Sequence, residues 1–403
     1  MKPITKTLLS CIKKFTPITQ KVSGPARERI MSLFYKIRAA KKQWNIHKSE
    51  ILRTKHESSE IYKLDSYDYI PVEIREKIEK DCLPYIHYSY SFTLSRVFNL
   101  YFMCSSEITH AHVVQKIERI YQWFVIACAQ NPNLQCSKTI NVYLYCVDFP
   151  KMLPKNDFQK IDMIHANTAF TTGCQNTTNI VLYREEEWFK VLMHESFHNL
   201  GLDFIELPHA DLEIIENELR QRFKIEQVKD IRFYETYCEI WAEIMNILFI
   251  VTRSSSHSTR RKSKRNVLGE KLWKEFKQKM MYESLFSCFQ CAKIMSHNKM
   301  HYIDFINPGE ISPKISREIY QENTFVFSYY VLKSILMFDY PAFLDFAIQS
   351  DTMKFQLTLE HARKYVELIS RNYQNPIYLK TIADMENSIS ECKDTLRMTL
   401  FEI

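Results

Sequence analysis

Glycine is scarce, five residues in 403, which argues against a glycine-rich phosphate loop and against a fold built on many tight hairpins. No apolar run approaches the ~20 residues that a bilayer-spanning helix needs; the longest surrounds Ile247-Leu248-Phe249-Ile250-Val251. The first residues lack the apolar core of a secretory signal, since Leu8 and Leu9 are soon followed by Lys13 and Lys14. Eleven cysteines, an odd number without regular spacing, give no disulfide framework. Reduced thiols and an intracellular, cytoplasmic location are therefore expected. Cys288-Phe289-Gln290-Cys291 has no second CxxC pair and sits in an apolar helical pattern, so it reads as core packing. No internal repeat is present.

Lys, Ile, Tyr and Phe are abundant, which suits a helix-rich chain. Charge is unevenly spread. Residues 1–56 hold 14 Lys/Arg against two acids, giving +12; the whole chain carries +7, so the remainder sums to −5. Within this basic arm Ile30 to Arg38 suits an amphipathic helix that can meet nucleic acid or an anionic membrane, although a loosely docked helical or flexible extension is the favoured reading. Residues 252–266 (TRSSSHSTRRKSKRN) form a second basic stretch, read as a surface loop with the same capacity for nucleic-acid contact.

From about residue 85 strands and helices alternate. Tyr88 to Met103 reads as one or two strands, His110 to Ala129 as a long helix and Ile140 to Val147 as a further strand. Ala166 to Thr171 and Asn179 to Tyr183 read as short strands joined by Gly173-Cys174-Gln175-Asn176. Immediately after them comes His194-Glu195-Ser196-Phe197-His198, an HExxH pattern that sets two imidazoles on one helical face with a glutamate between them. Glu185, Glu186 and Glu187 mark the start of that helix and Gly201 its end. Phe189, Met193, Phe197 and Leu200 form an apolar stripe on a different face from the histidines.

Residues 88 to 251 resemble the zincin peptidases, and the motif set is most similar to the gluzincin branch, whose third zinc ligand is a glutamate on a later helix. The chain also looks similar to predicted metallopeptidases of nucleocytoplasmic large DNA viruses, on HESFHNLGLDF, LYREEEWFKVL and YCEIWAEIMN. A viral source would put the protein in host cytoplasm or a virion. The resemblance implies an α+β, zincin-like fold, with an N-terminal mixed sheet plus helices and a mostly helical C-terminal lobe. The expected organisation is a basic extension at 1–56, an N-terminal lobe at 57–203 ending in the HExxH helix, and a C-terminal lobe at 204–403.

In thermolysin-like enzymes the ligand glutamate is followed four residues later by an acid that orients a zinc histidine. Glu239-Ile240-Trp241-Ala242-Glu243 matches that pattern, so the resemblance implies one Zn2+ per chain on His194, His198 and Glu239, with Glu243 as the orienting acid. Glu235 competes with Glu239 as ligand. Glu235, Glu239 and Glu243 share one face, which taken alone also describes a solvated acidic stripe. Asp203 is read as a supporting or capping residue, and His209 as a remote fallback ligand.

The implied activity is hydrolysis of a peptide or protein substrate through a zinc-activated water, with Glu195 as general base. Tyr329, Tyr330 and His301 are the candidates for stabilising the oxyanion, the tyrosines being preferred. Asn167, Thr168, Ala169 and Phe170, on the expected edge strand, are the candidates for pairing with an extended substrate. The competing function is a non-catalytic zincin-like scaffold that binds nucleic acid or anionic membrane through its basic N-terminal arm.

Overall fold

Period-two alternation of large apolar side chains builds one mixed sheet. A computed structural model describes the chain except for residues 1–2, 17–20, 57–63, 65, 83–86, 104–108, 135, 157–158, 226–227, 229, 255–264, 307–319, 349–351, 390–393 and 403. Before the sheet come helices α1 (Pro3–Ile12) and α2 (Gly24–His47). The sheet begins at β1 (Leu52–His56), and α3 (Val72–Asp81) intervenes before β2 (His87–Thr93) and β3 (Val97–Phe102). Next are α4 (His110–Cys128), β4 (Thr139–Leu144), α5 (Met163–Ala166), β5 (Ala169–Thr171) and β6 (Thr177–Leu182). Strand order is β1-β2-β3-β4-β6-β5, with β3, β4 and β6 parallel and β1, β2 and β5 antiparallel to their neighbours.

The two sheet faces are both covered. Phe98, Leu100, Phe102, Ile140, Val142, Leu144, Ile180 and Leu182 join the main core, while Tyr143, Tyr145, Val181 and Tyr183 meet Ile74 and Ile78 of α3. An in-register row of Asn99, Asn141 and Asn179 links the parallel strands by side-chain amide bonds of 2.9 and 3.0 Å, which favours this register over a slipped one.

Beyond the sheet the chain is helical: α6 (Trp188–Asn199), α7 (His209–Phe223), α8 (Tyr234–Ser254) and α9 (Arg265–His297), then shorter helices including Lys333–Phe338 and Leu359–Asn372. The mixed α+β class agrees with the sequence reading. The strand expected at Ala166 to Thr171 is shorter, because Asp162 caps a helical turn at Met163–Ala166 and extended pairing starts only at Ala169.

The basic arm is more firmly held than expected. Ala26, Ile30, Leu33, Phe34, Ile37, Ala40 and Trp44 of α2 are buried, and the helix packs on α4 and α8. The apolar face that would enter a membrane is thus occupied inside the fold, leaving Lys36, Lys41 and Lys42 exposed. Of the basic stretch 252–266, residues 255–264 lie outside the described residues.

The thiol expectation also needs correction. Cys136 and Cys174 are disulfide-bonded, joining the segment before β4 to the turn before β6 with Cα atoms 4.9 Å apart, and Cys11 is disulfide-bonded as well. A sequence separation of 38 hid the Cys136–Cys174 pairing. Cys128, Cys238, Cys288 and Cys291 are free thiols and buried, the last two within α9 as core. Among the described residues no helix is long and apolar enough to cross a membrane.

Candidate metal centre

The segment between β6 and α6 fixes where the HExxH helix begins. Arg184 is fully buried, and its guanidinium donates to the carbonyls of Asn167 (2.8 Å), Phe149 (2.8 Å), Pro150 (3.2 Å) and Ile164. Glu187, in the left-handed region at φ 60°, begins α6 but makes no capping bond to it. Its carboxylate instead pairs with Lys151 (2.8 Å) and accepts from the Met398 and Thr399 amides. The three acids that marked the helix start therefore also tie down other segments, Glu185 through Lys116 and Glu186 through the Lys151 amide.

At the other end, Gly201 has φ +60°, and the Leu202 amide returns to the Phe197 carbonyl at 2.8 Å. This is the expected glycine stop. Asn131 and Ser137 donate to the carbonyls of Leu200 and Asn199, so the end of α6 is satisfied from the sheet side. Trp123 of α4 donates to Ser196 at 2.9 Å, and its ring stacks on Phe197. These contacts set the rotation of α6 and turn His194 and His198 toward α8.

On α8 the acidic stripe is buried: Glu235, Glu239 and Glu243 are 7%, 2% and 0% exposed. The solvated-stripe reading therefore fails. Glu235 Oε2 lies 3.0 Å from His194 Nε2 and 3.2 Å from His198 Nε2, and the two Nε2 atoms are 3.2 Å apart. Glu235, rather than Glu239, is the carboxylate that meets both imidazoles. Glu239 sits behind the pair, with Oε1 2.9 Å from His194 Nδ1 in a contact bent away from hydrogen-bond geometry. Its other oxygen faces Lys190 and Lys333, the latter at 3.2 Å.

Glu243 does not orient an imidazole. It pairs with Lys333 at 2.9 Å and accepts from Thr399 at 2.7 Å. The acid that meets both imidazoles thus lies one helical turn nearer the start of α8 than the sequence pattern suggests. Asp203 takes the supporting place expected of it, hydrogen-bonded to His198 Nδ1. His209 is exposed and pairs only with Glu213 among the described residues, and His301 pairs with Glu386, so neither takes part.

Electrostatics follow from this packing. Burial alone would lower both imidazoles, but Glu235 and Glu239 hold His194 above its ordinary value, and the negative groups at His198, Glu235 and Asp203 among them, do the same there. Burial alone would raise Glu235 and Glu239; the histidines keep the first low, and Lys190, Lys333 and then His194 the second. Glu195 is raised, chiefly by burial. Cys238 Sγ lies 3.8 Å from His198 Nδ1 and 3.7 Å from Asp203, but burial raises its thiol far above the usual value and keeps it neutral.

Two residues that sequence reasoning did not weigh, Lys190 and Lys333, are fully inside and hold Glu239 as a carboxylate. The available signal was a lysine within a helix whose other faces are apolar. Lys190 also ties the HExxH helix directly to α8.

Tyr329 lies on a π-helical turn, Phe327–Leu332, with its hydroxyl 3.4 Å from Glu235 Oε2. Tyr330 points elsewhere, donating to the Leu396 carbonyl at 2.7 Å, which removes it as a site residue. The π turn starts where the Phe327 amide donates to half-buried Glu322 at 2.7 Å, and Tyr320 donates to the same oxygen. Burial pushes the Glu322 carboxyl up to about 8. The folded protein thus keeps a proton that the unfolded chain releases above its ordinary value of 4.5. Stability from this group is complete below that value and is lost as pH rises toward 8, by at most ~5 kcal/mol. Glu322→Gln should gain stability relative to the parent between pH 5 and 8, measured by urea midpoints; parallel pH curves would contradict this.

Thr168 and Ala169 are buried, while Phe170 is partly exposed and meets Tyr69 edge-on. Asn167 accepts from Thr324 and, through its carbonyl, from Arg184. β5 is the terminal strand of the sheet beside α6, as an edge strand next to the site requires.

The chemistry of the donor set can be tested directly. A neutral imidazole has one N–H. Asp203 claims that of His198 at Nδ1, and Glu239 faces Nδ1 of His194. With both imidazoles deprotonated at Nε2, as a metal ion requires, two nitrogen lone pairs and a carboxylate oxygen converge, a triangle of acceptors that a cation satisfies in place of the protons that otherwise bridge them to Glu235. Four ligands at the ~2.0–2.1 Å bonds of tetrahedral zinc stand about 3.3 Å apart, and the observed edges are 3.0, 3.2 and 3.2 Å. His194, His198 and Glu235 thus form a group able to hold a metal ion. A second group, His198, Asp203 and Cys238, uses the nitrogen already bonded to Asp203 and a protonated thiol, and suits a metal less well.

Comparison with protein-family models, with curated proteins and with solved structures finds no match.

Proposed function

We propose that the chain is a zinc-dependent peptidase with a zincin-like, gluzincin-type site, in which His194 Nε2, His198 Nε2 and Glu235 Oε2 hold the metal. The observation that carries this is the buried triangle of three acceptor atoms whose spacing fits one face of a zinc tetrahedron. Three protein donors leave a fourth position open, as in catalytic rather than structural sites. When bound, Zn2+ supplies a Lewis acid and lowers the pKa of a coordinated water.

The chain's own residues divide the remaining work. Asp203 fixes the His198 imidazole from behind, Glu239 sets negative charge behind His194, and the lysines keep Glu239 ionised. Glu195, between the histidines and inside a low-dielectric site, takes the proton from the attacking water as the oxygen–carbon bond forms. It then delivers that proton to the departing amine as the carbon–nitrogen bond breaks. The Tyr329 hydroxyl is the donor placed to meet negative charge developing on the carbonyl oxygen. The edge segment from Asn167 to Phe170, which leads into β5, pairs with an extended substrate.

His194, Glu195, His198, Glu235 and Tyr329 are each 4–9% exposed, which excludes water well but requires the covering segments to yield when a peptide enters. Incubating the purified protein with a mixed peptide library and reading cleavage by mass spectrometry tests the proposal. Cleavage should stop with 1,10-phenanthroline and return with added zinc. Cleavage that persists through chelation would refute it.

A further inference from the structure

Helices α2, α4 and α8 border an open-mouthed cavity of about 230 Å³ away from the metal centre. Ile37 and Phe249 contribute apolar wall, and Lys41, Arg119 and Arg253 bring three positive charges to it, one from each helix. Glu118 is the acid of the lining, and it is already engaged: Gln122 donates to it at 2.8 Å and Lys41 lies at 3.8 Å.

Arg119 is the informative member. It is half-buried, and among the described residues its guanidinium has no hydrogen bond and no ion pair within 4 Å. Burial, and then the nearby charge of Arg253, push it down to about 10. A guanidinium carries five N–H donors, and those of Arg119 face the recess with no protein acceptor among the described residues. Placing a second arginine against the same cavity adds repulsion. An oxyanion entering the recess relieves that repulsion, because the planar fork of arginine matches phosphate oxygens in paired, charge-assisted bonds. The cationic groups line a recess between helices rather than an open stripe, which fits a small ligand better than a nucleic-acid backbone.

We infer that this cavity is a binding site for a phosphate-bearing small molecule, held by Arg119 and Arg253 with Lys41 at the rim. The inference does not depend on the metal reading. Since Arg253 lies near the end of the helix that carries Glu235 and Glu239, a ligand here also clamps α2 and α4 to that helix.

The test is calorimetric titration of the full chain with inorganic phosphate and with pyrophosphate, against sodium chloride of matched ionic strength. The parent protein, Arg119→Gln, Arg253→Gln and an exposed control, Arg371→Gln, are compared, with thermal midpoints taken without ligand to verify folding. Saturable binding of one or both anions at one per chain is expected. It should be weakened roughly tenfold or more in Arg119→Gln and Arg253→Gln and unchanged in Arg371→Gln. Should one variant fail to fold, the other carries the test. Heats equal to those of chloride, or an affinity that a folded Arg119→Gln or Arg253→Gln retains, would overturn the assignment.

Discussion

Glu195→Gln should lower kcat for peptide hydrolysis by ~10²–10⁴-fold, the usual contribution of a positioned general base, while zinc content and thermal midpoint stay close to those of the parent. The amide is nearly isosteric with the carboxylate but takes no proton at neutral pH. Glu195 makes no hydrogen bond among the described residues, so the replacement breaks no bond that holds the fold. Single-turnover kinetics on a cleaved peptide separate this chemical effect from binding: kcat falls and KM moves little. Activity retained to within a few-fold would remove Glu195 from the mechanism.

Glu235→Ala should weaken zinc binding far more than Glu239→Gln. Glu235 supplies one of three convergent donor atoms, whereas Glu239 acts on the far nitrogen of His194. Loss of an outer-shell partner typically costs 10–100-fold in metal affinity, and loss of a direct ligand costs more. Glutamine is the useful change at position 239, because alanine would leave Lys190 buried without its carboxylate, at ~3–5 kcal/mol, while Lys333 keeps Glu243. Affinities follow from competition with a chromophoric chelator. If Glu239→Gln proved the more damaging, the assignment of Glu235 would be wrong and the original expectation restored.

That exchange of roles shows where sequence reasoning reaches and where it stops. His194 and His198 fall on one face because four residues make about one helical turn, and no tertiary knowledge is needed for that. Glu235, Glu239 and Glu243 also recur at four-residue spacing, so one face carries three equivalent candidates. Which turn meets the histidines depends on the axial offset between α6 and α8, and that offset is set by contacts distant in sequence. Trp123 on Ser196 and Lys190 on Glu239 are two of them.

The same reasoning explains the tyrosines. Tyr329 and Tyr330 differ by about 100° around a helix, and only the packing of Tyr330 against the segment through Leu396 decides between them. The strands β2, β3, β4 and β6 and the helix α4 were legible because aromatic and β-branched residues alternate in the strands and recur at helical spacing in α4. Burial of α2 was partly legible in Ile30, Leu33, Phe34 and Ile37, but the density of positive charge around them favoured a solvated reading. Arginine and lysine stems can cover apolar surface while their charged ends stay in water, so a basic helix is not thereby an undocked one.

The most direct test of the metal centre is the zinc content of the full-length protein, purified without chelator, supplemented with zinc, desalted and measured by plasma mass spectrometry beside His194→Ala. One zinc per chain in the parent and essentially none in His194→Ala is the expected result. A parent protein that holds no zinc after supplementation would contradict the account.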